Sequence, residues 1–268
     1  MATTILHDQD WIVPDWPAPP SVGSLVTTRR SGAGGGVSAG FNLGGQAGVD
    51  ASAVAANREI VRQKIGARPV WLEQVHGARV IDAGACADLF PQQADAAFTR
   101  QTGVACAVMT ADCLPVLLCD SAGQVVAAAH AGWRGLLAGV LEATVAAMNV
   151  PGQELIAWLG PAIGAQAFEV GGEVRGVFVA ADANAAAAFQ PAGGQWLADI
   201  YLLARQRLAG CGVTRVFGGG FCTVSEKERF FSYRRDGQTG RMASLIWRIP
   251  IPDFMNEITL TPRADARC

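Results

Sequence analysis

With 268 residues, half of them hydrophobic and 16% charged, the chain has ample apolar material for a buried core. Its 21 lysines and arginines against 23 aspartates and glutamates leave a formal charge of −2, no electrostatic footprint for nucleic acid or an anionic membrane. The polar start MATTILHDQD argues against a secretory signal, and no run approaches the roughly 20 apolar residues of a spanning helix, so a cytoplasmic protein is expected.

Residues 1–20 read as an N-terminal arm, because the prolines of WIVPDWPAPP exclude a helix and restrict strand pairing. The glycine-dense stretch SGAGGGVSAGFNLGG (31–45) predicts a tight loop or a close backbone approach to a ligand. It has no phosphate-loop lysine, and no strand followed by GxGxxG occurs. Residues 51–65 predict a helix burying Val54, Ile60 and Ile65. Short β-branched runs follow, PVWLEQV, ARVIDA, DAAFT, GVACAVMT, LPVLLCD and QVVAAAH, expected as strands of a mixed sheet. Residues 135–149 predict one helix, ELIAWLGPAIG a strand entering a loop, 173–189 an alanine-rich helix, and 196–210 a helix stopped by Gly212. RVFGGGF and MASLIWRI read as strands around the polar loop RRDGQTGR. The expected architecture is one α/β domain over 21–250, mixed sheets flanked by helices, with a tail over 251–268.

Seven irregularly spaced cysteines give no disulfide framework, and only three histidines occur: His7, His76 and His130. Three apolar strands end on reactive side chains, in QVHG (His76), ADCLP (Cys113) and HAGWRG (His130). Two imidazoles and a thiolate suit a borderline-soft divalent ion, and three protein ligands leave one position open, as in catalytic zinc sites. The spacings form no compact ligand motif. Two hydrogen-bonded core histidines with an inert thiol, or a metal-free Cys113–His130 nucleophile pair, fit them as well.

The ordered motifs TTR, GVS, NLG, NRE, QVHG, ADCLPVLL, HAGWRG, GPAIG with FEVG, and FFSYRRDGQTGRMASLIW resemble the YfiH-like family over roughly residues 20–248. That family has been labelled multicopper polyphenol oxidoreductases or laccase-domain proteins. Its members are now regarded as purine nucleoside phosphorylases with adenosine deaminase and methylthioadenosine phosphorylase activity. The resemblance implies a compact α/β (α+β) sandwich and zinc on His76, Cys113 and His130, with a purine nucleoside and phosphate as substrates. The chain departs from the family pattern at Ala167-Phe168 and at Val224.

Phosphate recognition calls for arginine. Arg58 and Arg134 match motifs nearest the trio and are preferred over Arg234 and Arg235, each set against a structural ion pair. Asp112 is the candidate proton carrier for deamination, or a structural support if the strand does not turn there. Asn42 is a candidate for ribose hydroxyls, with a turn as the simpler role; His7 has none. Trp71, Trp133, Phe168, Phe230 and Phe231 are expected in the core. Three histidines are too few for a multicopper oxidase, though a single copper suits the trio. A Cys113 amide hydrolase acting on cell-wall precursors and a metal-sensing module are the other readings.

Overall fold

The computed structural model describes residues 11–30, 32, 36, 40–45, 49–86 and 91–250. His7, the start of the arm and the tail over 251–268 lie outside them. The arm does pair: β1 (Trp11–Ile12) runs antiparallel to β2 (Val22–Thr27). Asp50 then caps α1 (Ala51–Ile65) by accepting the Ser52 and Ala53 N–H groups, and Gly66 closes it in the left-handed region. The buried face of α1 is Val54, Asn57, Val61 and Ile65, so Val61 takes the place foreseen for Ile60.

Short strands follow as β3 (Arg68–Val70), β4 (Leu72–Glu73), β5 (Val80–Asp82), β6 (Gln92–Gln93) and β7 (Ala96–Thr99). The long central strands are β8 (Val104–Thr110), β9 (Leu114–Asp120) and β10 (Val126–Ala131). The helix expected over 135–149 is two: α2 (Trp133–Leu137) and α3 (Val140–Met148), separated by Gly139 at φ 87°. Glycine there reverses the backbone where an uninterrupted apolar pattern gave no sign of a break.

After β11 (Leu155–Leu159) come β12 (Glu169–Val170) and α4 (Gly172–Ala181), which stops at Asp182 and gives way to a 3-10 segment (Ala183–Ala188). A hairpin, β13 (Phe189–Ala192) and β14 (Gln195–Ala198), takes the first residues assigned above to the 196–210 helix. The helix itself, α5 (Ile200–Gly210), begins after Asp199, whose side chain accepts the Leu202 N–H. The chain closes with β15 (Arg215–Gly218), a single turn α6 (Tyr233–Asp236) inside the foreseen polar loop, and β16 (Met242–Arg248).

These elements stack in four layers. The five-stranded sheet has the order β1-β2-β16-β8-β3, and the six-stranded sheet the order β15-β11-β9-β10-β7-β5. Val26, Cys106, Val108 and Ile246 of the first pack against Leu117, Cys119, Ala128 and Trp158 of the second. Helix α1 covers the outer face of the five-stranded sheet through Val61 and Ile65. Helices α2 to α5 cover the other face of the six-stranded sheet, against Leu114, Val116 and Leu118 of β9. Strand β9 is thus buried on both faces, which is why it reads as an unbroken apolar run. The α/β sandwich expected above is the observed architecture. Among the described residues no helix is long and apolar enough to cross a membrane.

Candidate metal centre

Strand register brings two of the three donors together. In the β9–β10 pairing His130 stands opposite Pro115 and Ala131 opposite Leu114, so the end of β10 lies beside the turn that carries Cys113. That turn is made by Asp112, at φ 94°. Its carboxylate accepts the Thr223 hydroxyl at 2.5 Å and the Arg234 N–H at 2.6 Å, and its carbonyl accepts the Ile163 N–H. Asp112 therefore ties the later loops to the strand end beside Cys113.

His76 arrives from a different segment, and two side chains hold it. Gln74 uses its amide as a strand would, donating to Met109 O at 2.8 Å and accepting the Met109 N–H at 2.7 Å, which docks residues 74–77 on β8. Asp95, with no exposed side-chain surface, accepts the successive N–H groups of Val75, His76 and Gly77. Three converging amides form an anion-binding nest, and they hold His76 at φ 61°, a backbone region non-glycine residues seldom occupy.

The same carboxylate lies 2.8 Å from His130 Nδ1. With Nδ1 engaged by Asp95, Nε2 is the His130 ring nitrogen left for a metal ion. The donor atoms of His76, Cys113 and His130 all lie within 4.8 Å of one another, and Cys113 Sγ is 3.9 Å from His76 Nε2. The imidazole rings meet edge-on, 4.8 Å between centroids. Donors around a tetrahedral zinc stand about 3.3–3.6 Å apart, a little closer than the 3.9 Å from Cys113 Sγ to His76 Nε2. His130 is buried, Cys113 half-buried and His76 exposed, so the group opens to solvent on the His76 side.

Electrostatics prepares the thiol for a cation. Burial alone would raise the Cys113 pKa, but the charge and hydrogen bond of His130, with help from His76, bring it down to about 6. Burial likewise opposes the His130 charge, and the Cys113 thiolate and Asp95 lift its pKa to about 9. Asp95 stays below the usual carboxylate range despite its burial, through His130 and the Gly77 and His76 N–H groups. By contrast Cys119 is pushed up to about 12 by burial. Gly132 matters for space: a Cβ there would fall 2.8 Å from Cys113 Sγ and 3.4 Å from His76 Cδ2.

The other residues singled out in the sequence sit in definite places. Asn42 forms a turn, its Oδ1 accepting the Gly44 N–H and also the Arg241 N–H. Arg58 donates to Leu43 O and lies 4.5 Å over the Trp71 ring. Exposed Arg134 stacks at 4.3 Å on Trp133. Arg235 is committed to backbone carbonyls and Asp236, and Arg234 to Glu169 O. Phe168, Phe230 and Phe231 are core residues, while Trp71 and Trp133 are only partly buried. Sequence reasoning missed Gln74 and Asp95. Gln74 stands inside the quoted QVHG motif, whereas Asp95 opens an ordinary strand and carries no local signal.

Residues 23–249 match the family model described as multi-copper polyphenol oxidoreductase laccase. A Pseudomonas aeruginosa protein named purine nucleoside phosphorylase is 56% identical over 239 residues, covering 88% of this chain and 98% of its own. The Escherichia coli protein named purine nucleoside phosphorylase YfiH is 53% identical, covering 89% and 98% respectively. The crystal structure of a Neisseria meningitidis protein superposes with a TM-score of 0.88 at 52% identity, covering 90% of this chain and all of that one. A family model matched over residues 23–249, with relatives above 50% identity covering almost their whole length, places the chain in the YfiH-like family of multi-copper polyphenol oxidoreductase laccase domains.

Proposed function

We propose that this chain is a zinc-dependent purine nucleoside phosphorylase of the cytoplasm, acting on adenosine, inosine or methylthioadenosine, with adenosine deamination as a second activity at the same centre. The observation that carries the reading is the geometry of the trio: three donors converge within 4.8 Å with one side open, and a buried carboxylate orients both histidines. The names of the Pseudomonas and Escherichia relatives supply the reaction class.

Phosphorolysis forms a C1′–O bond to phosphate while the C1′–N9 bond breaks and the purine leaves protonated. His76, Cys113 and His130 would hold the ion, which when bound supplies a Lewis-acid centre. Asp95 keeps His130 in one tautomer, and Gly132 leaves the approach to Cys113 clear. Among the described residues there is this single three-donor group, which suits one ion and not a set of coppers. Zinc is assigned on the thiolate and imidazole donors, with one copper as the competing occupant.

A second reading is favoured by a specific contact. Cys113, His130 and Asp95 also form a nucleophile, base and orienting carboxylate of the kind that serves amide hydrolysis without a metal.

Chromatography of adenosine or inosine reactions with and without phosphate, beside Cys113→Ala, separates these. Free base that needs phosphate, disappears in the variant and disappears on chelation supports the zinc phosphorylase. Absence of both free base and deaminated nucleoside from zinc-loaded protein would sink it. Amide hydrolysis that survives chelation would establish the thiol enzyme.

A further inference from the structure

Phosphorolysis requires a cation for the incoming phosphate, and the arginines near the trio differ in what already occupies them. Arg235 is spent on three backbone carbonyls and Asp236, and Arg234 on Glu169 O and the Phe168 ring. Arg58 stacks on Trp71, donates to Leu43 O and touches Met109 Sδ. Arg134 lies exposed on Trp133.

Arg241 is different. Met242 pairs with Thr110 across β16 and β8, so Arg241 stands at the sheet end from which residues 111–113 emerge. Its backbone is clamped on both sides: its N–H donates to Asn42 Oδ1 at 2.7 Å, and its carbonyl accepts the Leu43 N–H at 3.1 Å. Nη1 donates to Thr239 O at 2.9 Å and Gly240 O at 3.0 Å, and Nε and Nη2 have no protein partner among the described residues. The preceding Gly240 lies close against the Phe231 ring, where a Cβ would overlap it. Burial lowers the guanidinium's pKa, while the negative charges of Cys113 and Asp112 and the Tyr233 hydroxyl act to raise it. Asp112 is already engaged by Thr223 and Arg234. A partly buried guanidinium held by its backbone and Nη1, with no carboxylate partner and with Nε and Nη2 left free, presents an open donor edge to an oxyanion.

We propose that Arg241 is the phosphate-binding residue of this site, its free Nε and Nη2 edge offering a bidentate contact to an oxyanion beside the metal trio. Asn42 then acts as a positioning residue for Arg241, the structural reason for its burial in the turn. The assignment rests on the phosphorylase reading for its role in turnover, but the anion site itself does not depend on it. Arginine fits phosphate with two parallel N–H···O contacts, which a lysine ammonium cannot reproduce.

The test uses the full-length, zinc-loaded protein and the variants Arg241→Ala and Arg241→Lys. Steady-state rates are taken against phosphate and against nucleoside separately, with inorganic phosphate binding followed by phosphorus NMR without nucleoside. The expected result is a phosphate KM raised on the order of 100-fold in Arg241→Ala, less in Arg241→Lys, with the nucleoside KM and zinc content within about threefold of the parent. Lysine retention of the melting temperature excludes a folding defect as the cause. A phosphorolytic parent whose variants keep its phosphate KM overturns Arg241 alone. A parent that releases base without phosphate overturns the phosphorylase reading; in that case NMR binding lost in Arg241→Ala still upholds the anion site, and binding that is absent or equal in both proteins overturns it.

Discussion

A single carboxylate, Asp95, contacts His130 through its ring Nδ1 and His76 through its backbone N–H, at 2.8 and 2.9 Å. Both histidine donors thus take their positions from one buried side chain that does not itself belong to the trio. Replacing Asp95 by Asn puts an amide hydrogen where an acceptor is required. Zinc affinity measured by competition with a chelating dye is expected to fall about 10- to 100-fold. Unchanged affinity in a folded variant would show that the histidines are positioned by other contacts.

Gly132 predicts a steric effect separable from folding. Its φ of −65° suits alanine, yet the added Cβ would lie 2.8 Å from Cys113 Sγ. Gly132→Ala is expected to keep its melting temperature within a few degrees while losing most of its bound metal, read by elemental analysis. Full metal occupancy would mean that the thiol moves aside freely.

The depressed pKa of Cys113 predicts pH-dependent alkylation of this thiol in the metal-free protein. Because the folded-state value lies near 6, the thiolate persists above that pH and is lost as pH falls through it. Iodoacetamide labelling mapped by mass spectrometry should rise with a midpoint near pH 6 at Cys113. Cys119, pushed up to about 12, and buried Cys106 should stay unlabelled at neutral pH. Zinc should protect Cys113. A labelling midpoint near the ordinary thiol value would remove the electrostatic account.

Asp112 connects the Cys113 turn to two distant loops. Asp112→Ala leaves the Thr223 hydroxyl and Arg234 N–H without their acceptor. The cost is about 2–4 kcal/mol in urea unfolding, since buried polar groups lose charged partners. Asp112→Asn, which keeps one acceptor oxygen, should cost less. Equal stability of all three proteins would assign Asp112 to chemistry and not to the framework.

The trio was legible because its three residues stand at the ends of apolar runs, and strand ends are where a sandwich exposes side chains. The strands over 104–120 were legible for a related reason: both faces of β9 are covered, and the burial writes itself into LPVLLC. Asp95 was illegible, since its importance comes from the Ala129–Ala96 pairing that sets His130 beside it, a long-range register with no local signature. The break at Gly139 was hidden because α2 and α3 keep apolar faces toward the same sheet. Trp196 and Leu197 satisfy a helical pattern as well as a strand one, and their hairpin partners in β13 decide the matter.

The position of β16 bears on how the protein is made. It is the middle strand of the five-stranded sheet, between β2 and β8, yet it is synthesised after both. During translation those two strands emerge with their pairing edges bare, and nothing earlier in the chain can occupy the gap. The trio and its supports Gln74 and Asp95 leave the ribosome before β16, so they are synthesised while this sheet is still divided. Stalling or truncation ahead of residue 242 should therefore yield fragments with two bare strand edges, prone to edge-to-edge association.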